Sequence, residues 1–542
     1  HPQAAVPHAL RAAAADGAPV KNVSARLRHT IRIFCLLSLV AVGAPARAAD
    51  PSTLYARHCA ACHGADRLGG SGPALLPENL ERLRREEALQ VIREGRLATR
   101  MPAFADRLDA REIQALTEFI YSAPSTRLRW DLAEILASHT EHVPPGSLPD
   151  RPGFDADPLN VFVVVETGDH HITLLDGDRL RPIHRFPTRF ALHGGPKFSP
   201  DGRYVFLASR DGWITRFDIW NLKTTHEVRA GINTRNLGVS GDGRYVLVGN
   251  SLPPTLVVLD AKDLRPLKLI PVADLNGRPS RVSAVYDAAP RASFIAALKD
   301  AKEVWEIPYG EKHEPVYPGL VHDYRMAEAL ADKGPFPVRR ILLEDVLDDF
   351  YFDATYSHVM GASRKAGKGQ VVNLDIGRRI AELDLPGLPH LGAGITWEWQ
   401  DRPVMATPNL REGVVTVIDM KTWQVIRRIP TPGPGFFLRS HEKTPYAWTD
   451  SFMSQARDTL TIIDKRTLEV VTHLTPEPGR TAAHVEFSRD GRYALVSLWE
   501  NEGAIVVYDA ATLREVTRIP MRRPSGKYNV YNKITRSSGT SH

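Results

Sequence analysis

Cysteine is nearly missing. The 542 residues hold three, at positions 35, 59 and 62. Cys35 lies inside 33-IFCLLSLVAV-42, which leaves Cys59 and Cys62 as the only later thiols. Disulfide scaffolds and four-cysteine zinc modules are therefore excluded, and stability must come from a large core or a closed architecture. Long apolar runs are missing as well: 33–42 is too short to cross a bilayer as a helix, and nothing comparable follows. Arg26, Arg28 and Arg32 precede that run and 46-ARA-48 follows it, so residues 1–48 read as an export signal removed after Ala48. An excess of one charge is missing too. The formal net charge is +6, but residues 1–48 carry six Lys/Arg and one acid, which leaves 63 basic and 62 acidic residues in the remainder. Such a chain gives no electrostatic reason to bind nucleic acid or an anionic membrane.

What is present begins with 55-YARHCAACHGADRLGGSGPALL-76. A Cys-x-x-Cys-His motif holds a haem covalently: thioethers from Cys59 and Cys62 fix the porphyrin edge, and His63 reaches the iron as fifth ligand. A redox disulfide or half of a zinc site would need parts that the chain lacks. Gly70, Gly72 and Pro73 predict a turn after the motif. The stretch 78-ENLERLRREEALQVIREG-95 predicts one or two helices closed by a glycine, and Asp109 with Glu112 predicts a capping box for a helix over 110–123. Met101, in 101-MPAF-104, is the expected sixth ligand. A lone methionine is usually core packing, but Met-Pro at this point after the haem motif fits a small all-α class I cytochrome c domain over 49–125. His/Met ligation leaves little room for substrate, so this module is expected to move electrons and nothing more.

Beyond a polar connector at 126–158 the chain repeats a unit. The clearest copies begin 199-SPDGRYVFLAS-209, 240-SGDGRYVLVGN-250 and 488-SRDGRYALVSL-498, and weaker ones occur at 161–180 and 413–429. Each pairs a D-G turn with alternating apolar residues, which is a hairpin signal. Spacings of about 40–50 residues indicate an all-β propeller, and residues 159–542 make about eight blades. The Ser-x-Asp-Gly-Arg-Tyr motif itself is structural, and ligands are expected at the mouth of the central channel.

A haem c domain followed by such a propeller resembles the cytochrome cd1 family, whose propeller binds haem d1. The resemblance covers nearly all of the chain after residue 48, including 524-PSGKYNVYN-532, which is similar to the family's closing G-K-F-N-V-Y-N segment. It implies that His193, in 192-LHGGPKFSPDGRY-204, is an axial ligand of the d1 iron. It also implies that Arg210 and Arg235 face d1 carboxylates, which a guanidinium binds bidentately; surface ion pairs would explain either arginine taken alone. His441, in 436-FFLRSHEKTPYAW-448, matches a K-T-H-P segment of the family. It is expected on a loop near the channel mouth, as a second axial ligand or as a plain surface histidine. His226, His358 and His484 carry no pattern.

The nitrite reductases of that family hold two distal histidines over the iron. Asp348, in 348-DDFYFD-353, stands where the first belongs, and Phe350-Tyr351 replace a Gly-Gly pair and are expected to crowd the distal space. The second survives as His390 in 389-PHLGAG-394, with Ala393 in place of the arginine that follows. Without the distal pair the architecture is similar to the family's dihydro-haem d1 dehydrogenases, for which the d1 macrocycle is substrate and product. There, two hydrogens leave a propionate side chain to give an acrylate. The resemblance then implies His390 and Asp348 as candidate bases, Arg210 and Arg235 as a carboxylate clamp, and haem c as the electron exit. A carrier of finished haem d1 is the second reading and a nitrite reductase the third. The expected partners are a tetrapyrrole substrate, a periplasmic electron acceptor, and transient contacts with the cd1 nitrite reductase and other d1-assembly proteins. The expected compartment is the periplasm.

Overall fold

The Asp50 carboxylate accepts from the Thr53 N–H and so caps helix α1 (Pro51–His58), which breaks at Cys59 and resumes as α2 (Ala60–His63). In the computed structural model the described residues are 50–536, apart from 82, 97–100, 127, 318–330, 333 and 364–366; the expected export signal lies outside the described residues. Helix α3 (Arg85–Glu94) ends at Gly95, and α4 (Ala110–Ile120) starts on the expected capping box. There Asp109 accepts from the Arg111 and Glu112 N–H groups at 2.8 and 2.9 Å, while Glu112 accepts from the Asp109 N–H at 3.0 Å. The apolar faces of α1, α3 and α4 meet around Leu54, Tyr55, Ile92, Phe104, Leu116 and Ile120, which forms the core of the small domain.

The connector is not a free tether. Helix α5 (Leu132–Ser138) buries Ile135 completely among propeller residues, and the Trp130 indole N–H donates to Arg229 O at 2.9 Å. Thr140–Glu141 then pairs with the outer strand Lys223–Arg229.

Eight antiparallel sheets of four strands follow, seven of them with their strands in sequence order, and Thr140–Glu141 adds a fifth strand to one of these. In blade 8 the first strand Ala482–Phe487 is wholly buried, whereas the last strand of the blade before it, Glu469–Leu474, is largely exposed, as expected for blades that run from the axis outward. Blade 1 takes its innermost strand from the chain's far end: Pro524–Asn529 pairs with Val161–Glu166, with Lys527 opposite Val164. That pairing ties the chain's end to its first blade and closes the ring, which is how the fold manages without disulfides.

The repeated motif builds one turn three times. In Ser199–Tyr204 the serine hydroxyl donates to Asp201 at 2.5 Å and accepts from the Tyr204 N–H at 2.9 Å. Gly202 sits at φ +75°, a backbone region that glycine enters without cost. Ser240–Tyr245 and Ser488–Tyr493 repeat the serine–aspartate and serine–tyrosine contacts. All three turns join a blade's innermost strand to its second, so they share one rim of the ring. The loops that lead into the innermost strands share the other rim. No described helix is long and apolar enough to cross a membrane.

Candidate functional site

His63 is buried, and its Nδ1 donates to Pro73 O at 2.7 Å, which leaves Nε2 with a lone pair able to ligate a metal. Burial lowers its pKa, with the Pro73 bond opposing, which favours the neutral imidazole that iron requires. Gly72 packs flat against the ring: a Cβ there would lie 2.9 Å from His63 Cε1. The loop carrying Met101 is pinned to the end of α3, where Phe104 N donates to Ile92 O and Arg96 N to Met101 O, both at 3.1 Å. Cys59 and Cys62 are free thiols. Cys59, Cys62, His63 and Met101 all line a single cavity, so the residues present fit a covalent haem c.

That cavity has a volume of about 1280 Å³, and its opposite wall is the propeller's entry rim. His193, Arg210, Arg235 and Asp348 line it there. The haem module is held over the rim by Asn79, which donates to Ile232 O at 2.9 Å, by Asn233, which donates to Glu78 O at 3.1 Å, and by a small apolar seam of Ala74, Leu76 and Ile232. His193 Nδ1 donates to Arg235 O at 2.6 Å, which makes Nε2 an acceptor, and the Arg235 guanidinium sits 3.0 Å from it. The same guanidinium donates to Ser283 O at 2.6 Å, and the Ser283 hydroxyl donates to Asp348 at 3.1 Å. Four of the residues singled out in the propeller sequence therefore meet on one wall.

His390 is also on this rim but lies at the channel throat. Its Nδ1 donates to Phe436 O at 2.6 Å, and its Nε2 is 3.9 Å from Asp349 rather than paired with Asp348. Burial lowers the His390 pKa, and the Asp349 carboxylate opposes that shift. The Tyr286 hydroxyl donates to the same carboxylate at 2.6 Å. The neighbouring aspartate was missed because both lie in the loop before the strand Phe350–Phe352, where a D-D doublet does not say which one faces inward.

Two expectations need correction. His441 is not at the mouth. It sits in the turn after the innermost strand Leu438–Arg439, on the rim opposite His193 and His390, and it is fully buried. Its Nδ1 accepts from the Lys443 N–H at 3.1 Å and its ring packs near Phe487. The segment 440-SHEKTPY-446 is a degenerate copy of the Ser-x-Asp-Gly-Arg-Tyr turn, with the Ser440 hydroxyl donating to Tyr446 O at 2.7 Å, so its likeness to a ligand segment reflected the repeat. Phe350 and Tyr351 do not fill the distal space either. They lie on the strand Phe350–Phe352 and pack into two different inter-blade cores.

His484, which carried no sequence pattern, is buried in the channel wall, 5.3 Å from the Tyr528 ring between centroids. Burial, then the neighbouring Lys527, hold its pKa well below the usual value. Lys527 donates to His484 O and to the Ser497 hydroxyl. The only signal for either was placement on an innermost strand, which the repeat alignment supplies.

A haem c module docked over the mouth of an eight-bladed propeller, with a histidine–arginine pair on the shared wall, defines a class of two-centre tetrapyrrole protein. The chain belongs to the cytochrome d1 haem domain family, which matches residues 156–533, and residues 46–120 match the cytochrome c oxidase cbb3-type subunit III family. It is 53% identical over 514 residues to the dihydro-haem d1 dehydrogenase of Pseudomonas aeruginosa, covering 94% of this chain and 100% of that protein. A solved structure of the dihydro-haem d1 dehydrogenase NirN in complex with DHE superposes with a TM-score of 0.84 at 54% identity, over 90% of this chain and 100% of that one. The nitrite reductase of Stutzerimonas stutzeri is more distant, 25% identical over 536 residues, or 89% of this chain and 92% of that protein.

Proposed function

We propose that this chain is a periplasmic oxidoreductase that takes dihydro-haem d1 as substrate and oxidises one of its propionate arms to an acrylate. The observation that carries this reading is the single cavity joining the haem c ligands Cys59, Cys62, His63 and Met101 to His193, Arg210, Arg235 and Asp348. An electron-transfer module has a reason to share a cavity with a substrate whose oxidation releases electrons. It has no such reason in a carrier.

The balance is simple. The CH2–CH2 unit becomes CH=CH, and two protons and two electrons leave. Cys59, Cys62, His63 and Met101 would hold a haem c, which would supply a one-electron exit for those two electrons. Arg210 and Arg235 hold substrate carboxylates on the cavity wall. When Arg235 turns to a carboxylate, the Nε2 lone pair of His193 is released to ligate the substrate iron, so carboxylate and iron recognition are coupled. His390 is the base: its Nδ1 proton is held by Phe436 O, its Nε2 is bare, and Asp349 stands ready to stabilise the imidazolium. Asp348, which lines the cavity, is the acceptor for the second proton. His441 has no part in this assignment.

The deciding experiment is anaerobic incubation of the haem-loaded protein with dihydro-haem d1 and an electron acceptor, followed by mass analysis of the extracted tetrapyrrole. Loss of two hydrogens in the wild type, absent in Met101 or Cys59 variants, is the expected result. Tight binding with unchanged mass would replace the dehydrogenase by a haem d1 carrier, and turnover of nitrite would replace it by a reductase.

A further inference from the structure

We propose that Lys197 binds a carboxylate of the tetrapyrrole inside the channel, so that the arm to be oxidised enters the propeller while the ring stays in the cavity above. This inference rests on the dehydrogenase reading for its substrate. The chain leads Lys197 there directly. After His193 on the cavity wall, Gly194 and Gly195 take φ +81° and +74°, and Lys197 begins the innermost strand of blade 2, opposite Phe206. Gly194 has to be a glycine: a Cβ would lie 2.3 Å from Asn236 Cβ. Phe198 packs into the core between blades 1 and 2, whereas Lys197, on the other face of the strand, reaches across to Tyr286 on the innermost strand Val282–Ala288 of another blade, which places its ammonium at the channel.

Its surroundings are the reacting groups assigned above. Lys197 Nζ is 5.4 Å from the centroid of the Tyr286 ring, whose hydroxyl donates to Asp349, and Asp349 in turn faces His390 at 3.9 Å. Ser283 lines the cavity, and Tyr286 lies three residues further along the same strand, about 10 Å deeper at ~3.3 Å per residue. A flat macrocycle stops at that level and a flexible arm continues. Among the described residues the Lys197 ammonium has no hydrogen-bond or ion-pair partner, only the Tyr286 ring.

The charge balance points to an anion. Lys197, Arg439, Lys527 and Lys533 gather around the channel, whereas the carboxylates among them are Asp349, Glu486 and Asp450, the last already accepting from the Phe436, Phe437 and Phe452 N–H groups. Glu486 is already beside Lys533 at 3.6 Å. Cations left unpaired away from water are costly, and a substrate carboxylate would remove the imbalance. Consistent with this, burial, then Lys533 and Arg439, push the Lys197 ammonium down to about 8, with Asp349 opposing.

The test compares wild type, Lys197→Met and Lys197→Arg, each as the full chain with haem c in place. Optical titration would be run with dihydro-haem d1 and with its methyl-esterified form. Hydrogen bonds to charged groups are worth about tenfold to hundredfold in affinity, so Lys197→Met should cut the preference for acid over ester by about tenfold or more. Lys197→Arg should keep most of it. Equal preference in wild type and Lys197→Met would overturn the proposal, as would an equal weakening of acid and ester accompanied by a lowered melting temperature. If wild type prefers the acid but removes no hydrogens, the dehydrogenase reading fails by itself, and the same titrations still decide whether Lys197 holds a carboxylate.

Discussion

Replacing Asp349 with Asn should slow oxidation without loosening the substrate. The substitution keeps an oxygen to accept from the Tyr286 hydroxyl and keeps the side chain's shape, so the throat stays built. What it removes is a negative charge 3.9 Å from His390 Nε2. At an effective dielectric constant of about 20, that charge stabilises a full imidazolium by about 4 kcal/mol. With the proton half transferred in the transition state, about half is lost, about 2 kcal/mol or roughly 30-fold in kcat. Mass-detected turnover under anaerobic conditions measures this directly, with KM expected to change only a few-fold. The pH profile supplies a signature that a merely structural defect would not produce. A general base works in its neutral form, so the rate rises with pH through the His390 pKa. Burial lowers that pKa and Asp349 raises it; removing the carboxylate therefore moves the acid limb to lower pH while the plateau falls. An unchanged plateau, or an acid limb that moves upward, would refute His390 as the base.

Three further outcomes are expected. Arg235→Gln should weaken dihydro-haem d1 binding about tenfold to hundredfold by optical titration, since a charged clamp is lost, and the spectrum should show whether His193 still ligates; wild-type affinity would remove Arg235 from the site. Gly72→Ala pushes a Cβ to 2.9 Å from His63 Cε1, so overpacking should cost about 1–3 kcal/mol in melting experiments and disturb the haem c spectrum. A wild-type spectrum and melting curve would mean that the ring has more room than its contacts show. His441→Phe should leave the spectrum of bound dihydro-haem d1 unchanged, because His441 lies on the far rim, and a shift in its iron bands would reverse that correction.

The repeat made the propeller legible because a Ser-x-Asp-Gly-Arg-Tyr turn is local. Its serine, aspartate and glycine act within six residues, so their identities survive from blade to blade. The haem motif was legible for the same reason. Lys197, His484 and Tyr528 were hidden because they come from different innermost strands, and nothing local marks which residue of a strand faces the axis; Asp349 lies in the loop just before such a strand. His441 misled for a related reason: a worn copy of a structural turn can look like a ligand-bearing loop. The connector read as polar tether because the burial of Ile135 and the pairing of Thr140–Glu141 depend on a blade far along the chain.

The strand that closes the ring also carries Lys527 and Tyr528. A chain made only as far as its last full blade therefore lacks more than a fastening: the wall of the reaction chamber is missing too. Competence to receive a tetrapyrrole thus arrives with the closing strand of the fold, and an incomplete copy has no finished chamber in which to hold one.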